Sequence, residues 1–257
     1  MAQETVLITG ASSGIGLELA RLFAADGSDL VLVARRGEKL EELRRELEQS
    51  HGIAAEALVE DLASAAAPQA IFDRLAGENR TIDVLVNNAG FGAVGPVAEI
   101  GLRRQMEMLQ VNVVALAHLT MLFLPGMLER GRGGVLNVGS TAAFQPGPLM
   151  AMYYASKAFV LSFSEALAEE LRGTPVRVSC LCPGPTRTEF ATTARLEDRL
   201  LFKLGTASAS QVARTGYRGF RRGKPLVIPG LTNKLGTLAV RLTPRAVIRK
   251  VTKRLQQ

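Results

Sequence analysis

Short apolar, β-branched runs recur along the chain, each stopping at glycine or a polar residue and each followed by a stretch whose apolar residues have helical spacing. This alternation limits the fold more than any other feature. The runs lie at 5–9, 30–34, 54–59, 82–86, 135–138, 176–181 and 226–228. Parallel strands need crossovers of a dozen or more residues, and the crossover helices bury both faces of the sheet. The expected architecture is α/β: an open, doubly wound parallel sheet of about seven strands with helices on both faces. No Gly/Ser linker and no fixed-period repeat interrupts residues 1–257, so one domain is expected.

With 47% hydrophobic and 21% charged residues, a chain of this length fills a core without covalent staples. Cys180 and Cys182 stand two apart in an apolar run, which excludes a zinc or disulfide framework, and no metal is expected. The first residues lack a basic stretch followed by a long apolar one, so a reducing cytoplasm is the expected location. The uncharged run 108–128 has membrane-spanning length, but Gln110, Asn112, His118 and a break at Pro125-Gly126 favour a buried helix.

The net charge of +7 is unevenly placed. Residues 1–198 carry 17 Lys/Arg against 24 Asp/Glu, whereas 199–257 carry 14 Lys/Arg and no acid. Such a tail attracts anionic lipid, a phosphorylated substrate or nucleic acid, and it also suits a plain solvated face. No reading helix, zinc pattern or aromatic platform accompanies it, so specific nucleic-acid binding is not expected.

In an open parallel sheet, ligands bind beyond the carboxyl ends of the strands. The first such end carries TGASSGIG, residues 9–16. There Gly10 suits a tight turn, Gly14 lets a diphosphate approach, and Gly16 lets the following helix pack with its N-terminus toward phosphate. The same letters satisfy G-x-S-x-G, the nucleophile elbow of hydrolases. That chemistry needs an acid and then a late histidine, and the chain has only His51 and His118. At the second strand end, Arg35 and Arg36 stand where a ribose-binding carboxylate would be. Two guanidiniums favour a 2′-phosphate, and so NADP(H) over NAD(H), with Arg35 as the main partner and Arg36 the better fit to a solvated helix start.

Tyr153 and Lys157 are four apart on a helical stretch and share a face. A nearby ammonium is expected to lower a phenol from its ordinary value near ~10. Ser140, past the fifth run, can donate to a carbonyl oxygen. Tyr154 has Ala158 four residues on and reads as packing.

These segments, together with Asn87-Asn88-Ala89-Gly90, Asn112 and Pro183-Gly184, occur in order across about residues 4–190. In that combination the chain closely resembles the short-chain dehydrogenase/reductase family. The resemblance implies a Rossmann-like fold and a catalytic set of Asn112, Ser140, Tyr153 and Lys157, with Asn112 orienting a relay water. It implies a cofactor site built from Gly10, Ser12, Ser13, Gly14, Ile15, Gly16, Arg35, Arg36, Asp61, Leu62, Asn88, Ala89, Gly90, Tyr153, Lys157, Pro183, Gly184, Thr186 and Thr188. Asn87 is carried over with the adenine-side segment. Where some NADP-using relatives have Lys or Arg before the second glycine, this chain has Ser13.

The function expected is NADP(H)-dependent interconversion of a ketone or aldehyde and an alcohol; the alternative is an NADP(H)-binding regulatory or scaffold protein without turnover. Residues 190–220 are expected to form a lid, with Phe190, Leu196, Leu200, Leu201, Phe202 and Leu204 toward an apolar or acyl-linked substrate. Phe144, Pro146, Leu149 and Met150 are expected as a second wall. Residues 231–257 form a basic C-terminal extension, in which Val240, Val247, Ile248, Val251 and Leu255 space like an interfacial helix. That spacing allows peripheral contact with an anionic membrane. A homodimer or homotetramer built on the helices of Asn112 and Tyr153 is implied by the resemblance.

Overall fold

The computed structural model describes residues 3–189 and 205–256. Seven strands, β1 (Thr5–Thr9), β2 (Asp29–Ala34), β3 (Ala55–Val59), β4 (Val84–Asn87), β5 (Gly134–Val138), β6 (Arg177–Leu181) and β9 (Leu226–Val227), form one sheet in the order β3-β2-β1-β4-β5-β6-β9. Every pairing is parallel. The chain winds outward from β1 in one direction and from β4 in the other. The reversal of strand order therefore falls between β1 and β4, where a crevice opens at the carboxyl ends.

The helices are α1 (Gly14–Ala25), α2 (Gly37–His51), α3 (Ala67–Gly77), α4 (Leu102–Glu129), α5 (Ala151–Glu170), α6 (Ala209–Arg221), α7 (Leu231–Leu242) and α8 (Arg245–Gln256). Side chains alternate across a strand, and the two layers follow from that period. Val6 and Ile8 of β1 face Leu19 and Phe23 of α1, Leu40 and Leu47 of α2, and Val212 and Phe220 of α6. Leu7 faces the other way, into a core with Ile71 and Leu75 of α3, Leu119 and Phe123 of α4, and Leu167 of α5. A short second sheet pairs β7 (Thr186–Arg187) with β8 (Ala207–Ser208).

Three expectations need correction. The run through 108–128 does not break at Pro125: α4 continues to Glu129. Proline there removes only the bond to the carbonyl of Met121, which lies on the exposed face where water can satisfy it. The helix is long and apolar enough to span a membrane, yet Val111, Leu116, Leu119, Phe123 and Met127 are buried while Val114, Met121 and Leu128 are exposed. It is thus buried on one face only. The lid does not extend to residue 220, because α6 belongs to the core, with Val212, Ala213, Tyr217 and Phe220 buried. Phe190, Leu196, Leu200, Leu201, Phe202 and Leu204 lie outside the described residues.

Candidate active site

The strand ends and the C-terminal helices enclose a cleft of about 690 Å³. At one end is the glycine loop between β1 and α1. Gly10 and Gly14 have φ of 66° and 59°, the left-handed region where a side chain is strained. A Cβ on Gly10 would lie 2.9 Å from Ala89 Cα, so the loop is pressed against the segment after β4. Asn88 fixes that contact: its Nδ2 donates to the carbonyls of Thr9 and Gly10 at 2.9 and 3.1 Å. Thr9 Oγ1 accepts from the backbone N–H groups of Asn88 and Ala89, both at 3.0 Å. α1 starts at Gly14, and its N-cap Ser13 makes no capping bond. The first-turn N–H groups therefore face the cleft as an anion site, which fits a dinucleotide diphosphate.

Beside the loop, Arg36 donates to Ser12 Oγ from Nη2 and Nε at 2.9 and 3.3 Å. Its Nη1 lies 2.7 Å from Glu189. Lys39 donates to the same carboxylate at 2.8 Å. Arg35 lines the cleft but has no hydrogen bond or ion pair among the described residues. Both arginines thus line the cleft, and Arg36, the residue leading into α2, is turned back over the glycine loop. Hydrogen bonds from Lys39, Arg36 and Ser13 hold the Glu189 carboxyl down at about 2 against the opposing effect of burial.

At the other end stand Ser140, Tyr153 and Lys157, all on the cleft. Ser140 follows β5 and caps a short 3-10 turn, its Oγ accepting from Ala142 N–H at 3.1 Å. Tyr153 is hydrogen-bonded to Ser140, and both Tyr153 and Lys157 are buried. Lys157 Nζ donates to the carbonyl of Val138 at 2.8 Å and lies 6.0 Å from the centre of the Tyr153 ring. Burial pushes the Tyr153 phenol well above 10, and the Ser140 bond opposes it only in part. The ammonium was expected to lower this phenol; in the structure burial raises it, and the lowering influence comes from the Ser140 hydrogen bond. Burial also pulls Lys157 down to about 8, against the raising influence of Cys180 and Cys182. Those two thiols are buried and reduced, with their sulfurs 3.6 Å apart.

All the expected cofactor and catalytic residues line this cleft except Gly16 and Asn112. Gly16 sits behind the loop, where a Cβ would strike Asn88 and the Gly10 carbonyl. Asn112 lies in a stretch of α4 that widens to π geometry over Gln110–Ala115, a feature common near functional sites. Its Oδ1 accepts from Phe91 N–H, and its Nδ2 donates to Phe91 O and Ser156 Oγ, at 3.0, 3.0 and 3.1 Å. The side chain braces the loop after β4. Asn87 does not line the cleft either: it donates to Asn137 of β5 and to Thr120 of α4. Of the second wall, Met150 lines the cleft but Phe144, Pro146 and Leu149 do not. Phe144 packs instead on the cluster holding Cys180 and Cys182.

Two features had no signal in the sequence. Glu189 joins the arginine end, and the C-terminal helices close the other. Gln256 is buried and its Nε2 donates to Tyr154 Oη at 2.7 Å. Tyr154 is thus an anchor for the C-terminus as well as packing. Ser12 is committed to Arg36, and neither His51 nor His118 lines the cleft, so the hydrolase pattern has no histidine partner there.

A glycine loop at a helix N-terminus and a Ser–Tyr–Lys set at the far end of one cleft define a doubly wound, dinucleotide-dependent oxidoreductase. A family model described as short chain dehydrogenase matches residues 4–199. Sulfoacetaldehyde reductase 2 of Chromohalobacter salexigens is 40% identical over 73% of this chain and 74% of its own length. An NADP-dependent 3-hydroxy acid dehydrogenase of Salmonella typhi is 38% identical over 72% and 74%. Among solved structures, a short-chain dehydrogenase from Sphingobium yanoikuyae in complex with NADPH superposes with a TM-score of 0.84 at 34% identity, covering 93% of each chain. One from Burkholderia phymatum in complex with NAD gives 0.81 at 27% identity, over 98% of this chain and 96% of that one. The chain belongs to the short-chain dehydrogenase/reductase family and is an oxidoreductase.

Proposed function

We propose that the protein is an NADP(H)-dependent carbonyl reductase, converting an apolar ketone or aldehyde to its alcohol. The observation that carries this is the buried Ser140–Tyr153 hydrogen bond at the cleft end opposite the glycine loop. The first-turn N–H groups of α1, with Gly10, Ser12, Ser13, Gly14 and Ile15, would hold the diphosphate. Arg36 and Arg35 would take the 2′-phosphate. Asp61, Leu62 and Asn88 to Gly90 would flank the adenosine, and Pro183, Gly184, Thr186 and Thr188 the nicotinamide. When bound, the reduced cofactor supplies a hydride to the carbonyl carbon. Ser140 Oγ orients the carbonyl oxygen, and Tyr153, hydrogen-bonded to Ser140, gives that oxygen its proton. Lys157, tied to Val138, is assigned to the ribose and to the supply of protons to Tyr153, with Asn112 bracing the loop beside it.

Met150, Val240 and Leu255 on the cleft favour an apolar substrate. The exposed Val114, Met121 and Phe159 of α4 and α5 suit a homodimer or homotetramer, and the enzyme is assigned to the cytoplasm with its C-terminus at an anionic surface. Tyr153→Phe tests the chemistry: NADPH consumption with a panel of steroid, acyl and aromatic ketones should vanish while NADPH binding stays within about twofold, since the hydroxyl acts in the transition state and not in cofactor affinity. Retained turnover refutes the mechanism; NADPH binding with no turnover by the unaltered protein on any ketone favours the scaffold alternative.

A further inference from the structure

We propose that the outer face of α7 and α8 docks on an anionic lipid membrane. The five apolar residues expected to space as one interfacial helix do not share a face. A turn at Thr243 and Pro244 divides them, with Ile248 buried and Val240 and Leu255 on the cleft. The outward stripe is carried chiefly by leucines. Leu231, Leu235, Leu238 and Leu242 recur at three- and four-residue spacing on α7 and are 72%, 58%, 54% and 80% exposed. Val247 and Val251 continue it on α8, at 48% and 50%. Lys234 and Arg241 fall within the leucine stripe, and Lys250 and Arg254 lie at the matching spacing beside the two valines.

Charge decides the occupant. The two helices carry seven Lys/Arg and no acid, all seven exposed and none in an ion pair among the described residues. Elsewhere in the acid-free tail the structure does neutralise a cation: Arg221 pairs with Glu4 at 2.7 Å. A second copy on this face would set like charges against one another across a symmetric contact, with no carboxylate to offset them. An exposed apolar stripe set among cations is the pattern of a helix lying in a negatively charged interface. On α4 the exposed Val114 and Met121 have no Lys or Arg within four residues, and Arg103 near its start is paired with Glu107. The inner sides of α7 and α8 line the cleft through Asn233, Thr237 and Gln256. On the carbonyl-reductase reading above, docking holds the substrate wall at the bilayer, within reach of lipid-dissolved ketones.

The test is sedimentation of the full-length protein with vesicles of phosphatidylcholine alone or with phosphatidylglycerol added, without substrate, so that a failure of the carbonyl reading leaves the result unaffected. Two surface variants are compared, Leu235→Ser/Leu238→Ser/Leu242→Ser and Lys234→Gln/Arg241→Gln/Lys250→Gln. The unaltered protein should bind only the anionic vesicles, and added salt should release it. The charge variant should bind roughly a hundredfold more weakly, and the leucine variant roughly tenfold or more. Unchanged NADPH binding shows that both variants are folded. Equal binding to neutral vesicles, no binding to anionic ones, or full binding by either variant overturns the proposal. So does self-association that the leucine variant abolishes without any vesicle binding.

Discussion

Glu189 places a carboxylate oxygen 2.7 Å from Arg36 Nη1 at the mouth of the cleft, and Lys39 and Ser13 donate to the same group. Three donors converge on an anion where the sequence expects a cofactor phosphate. A 2′-phosphate and this carboxylate would compete for them. Both partners are nearly half exposed, so the ion pair itself is worth at most about 1 kcal/mol. The competition is mainly one of like charges. Glu189→Gln should therefore tighten NADPH roughly three- to tenfold and leave NADH unchanged. Fluorescence titration of both nucleotides measures it, and equal gains for the two would remove Glu189 from the phosphate subsite.

Arg36 and Arg35 separate in the same assay. A charge-assisted hydrogen bond to phosphate contributes about 1.5–3 kcal/mol, so Arg36→Ala should weaken NADPH by roughly ten- to a hundredfold. Arg35, exposed and without a partner among the described residues, should cost no more than about threefold when replaced by alanine. The opposite ranking would restore the order that the sequence favours.

Which parts of this site were legible follows from the range of the interactions. The glycine loop, the strand ends and the Tyr153/Lys157 pair are local patterns: the period of the apolar residues sets the strands, and a spacing of four sets the shared face. The contacts of Arg36 were not legible, because they depend on a turn of backbone leading into α2 and on Glu189, far away in sequence. Asn87 and Asn88 are neighbours of identical type, yet one points into the sheet and the other into the loop, and only the alternation of the strand decides which. The acidity of Tyr153 was misjudged for a similar reason. A sequence shows the neighbouring lysine, but it does not show the full burial that raises the phenol.

Gln256 and Tyr154 tie the C-terminus to the site through a 2.7 Å hydrogen bond between residues 102 positions apart. Gln256→Ala removes the donor that ties the C-terminus over the cleft, and Tyr154 retains its bond to Gln145. The loss should be about 1–2 kcal/mol of stability, read as a lower denaturation midpoint. KM for apolar ketones should rise while NADPH affinity is unchanged, because α8 meets the substrate side of the cleft only. A matching loss of NADPH affinity would show that the helix supports the whole cleft instead.

Lys157 gives a stability signature with a definite sign. Its folded-state pKa of about 8 lies below the ordinary value of 10.5, so between these limits the unfolded chain binds more protons than the folded one. Stability from this group therefore rises as pH increases from about 8 toward 10, and below 8 the cost of burying the ammonium is fully present. Above 10 the Tyr153 phenol acts in the opposite sense, since it stays protonated in the fold while the unfolded chain ionises. The window to examine is thus pH 8–10, in the cofactor-free protein. Lys157→Met should abolish the rise, worth up to about 3 kcal/mol at its upper end. Urea denaturation of both proteins at several pH values measures the difference. A rise of the same size in the variant would assign it to another group.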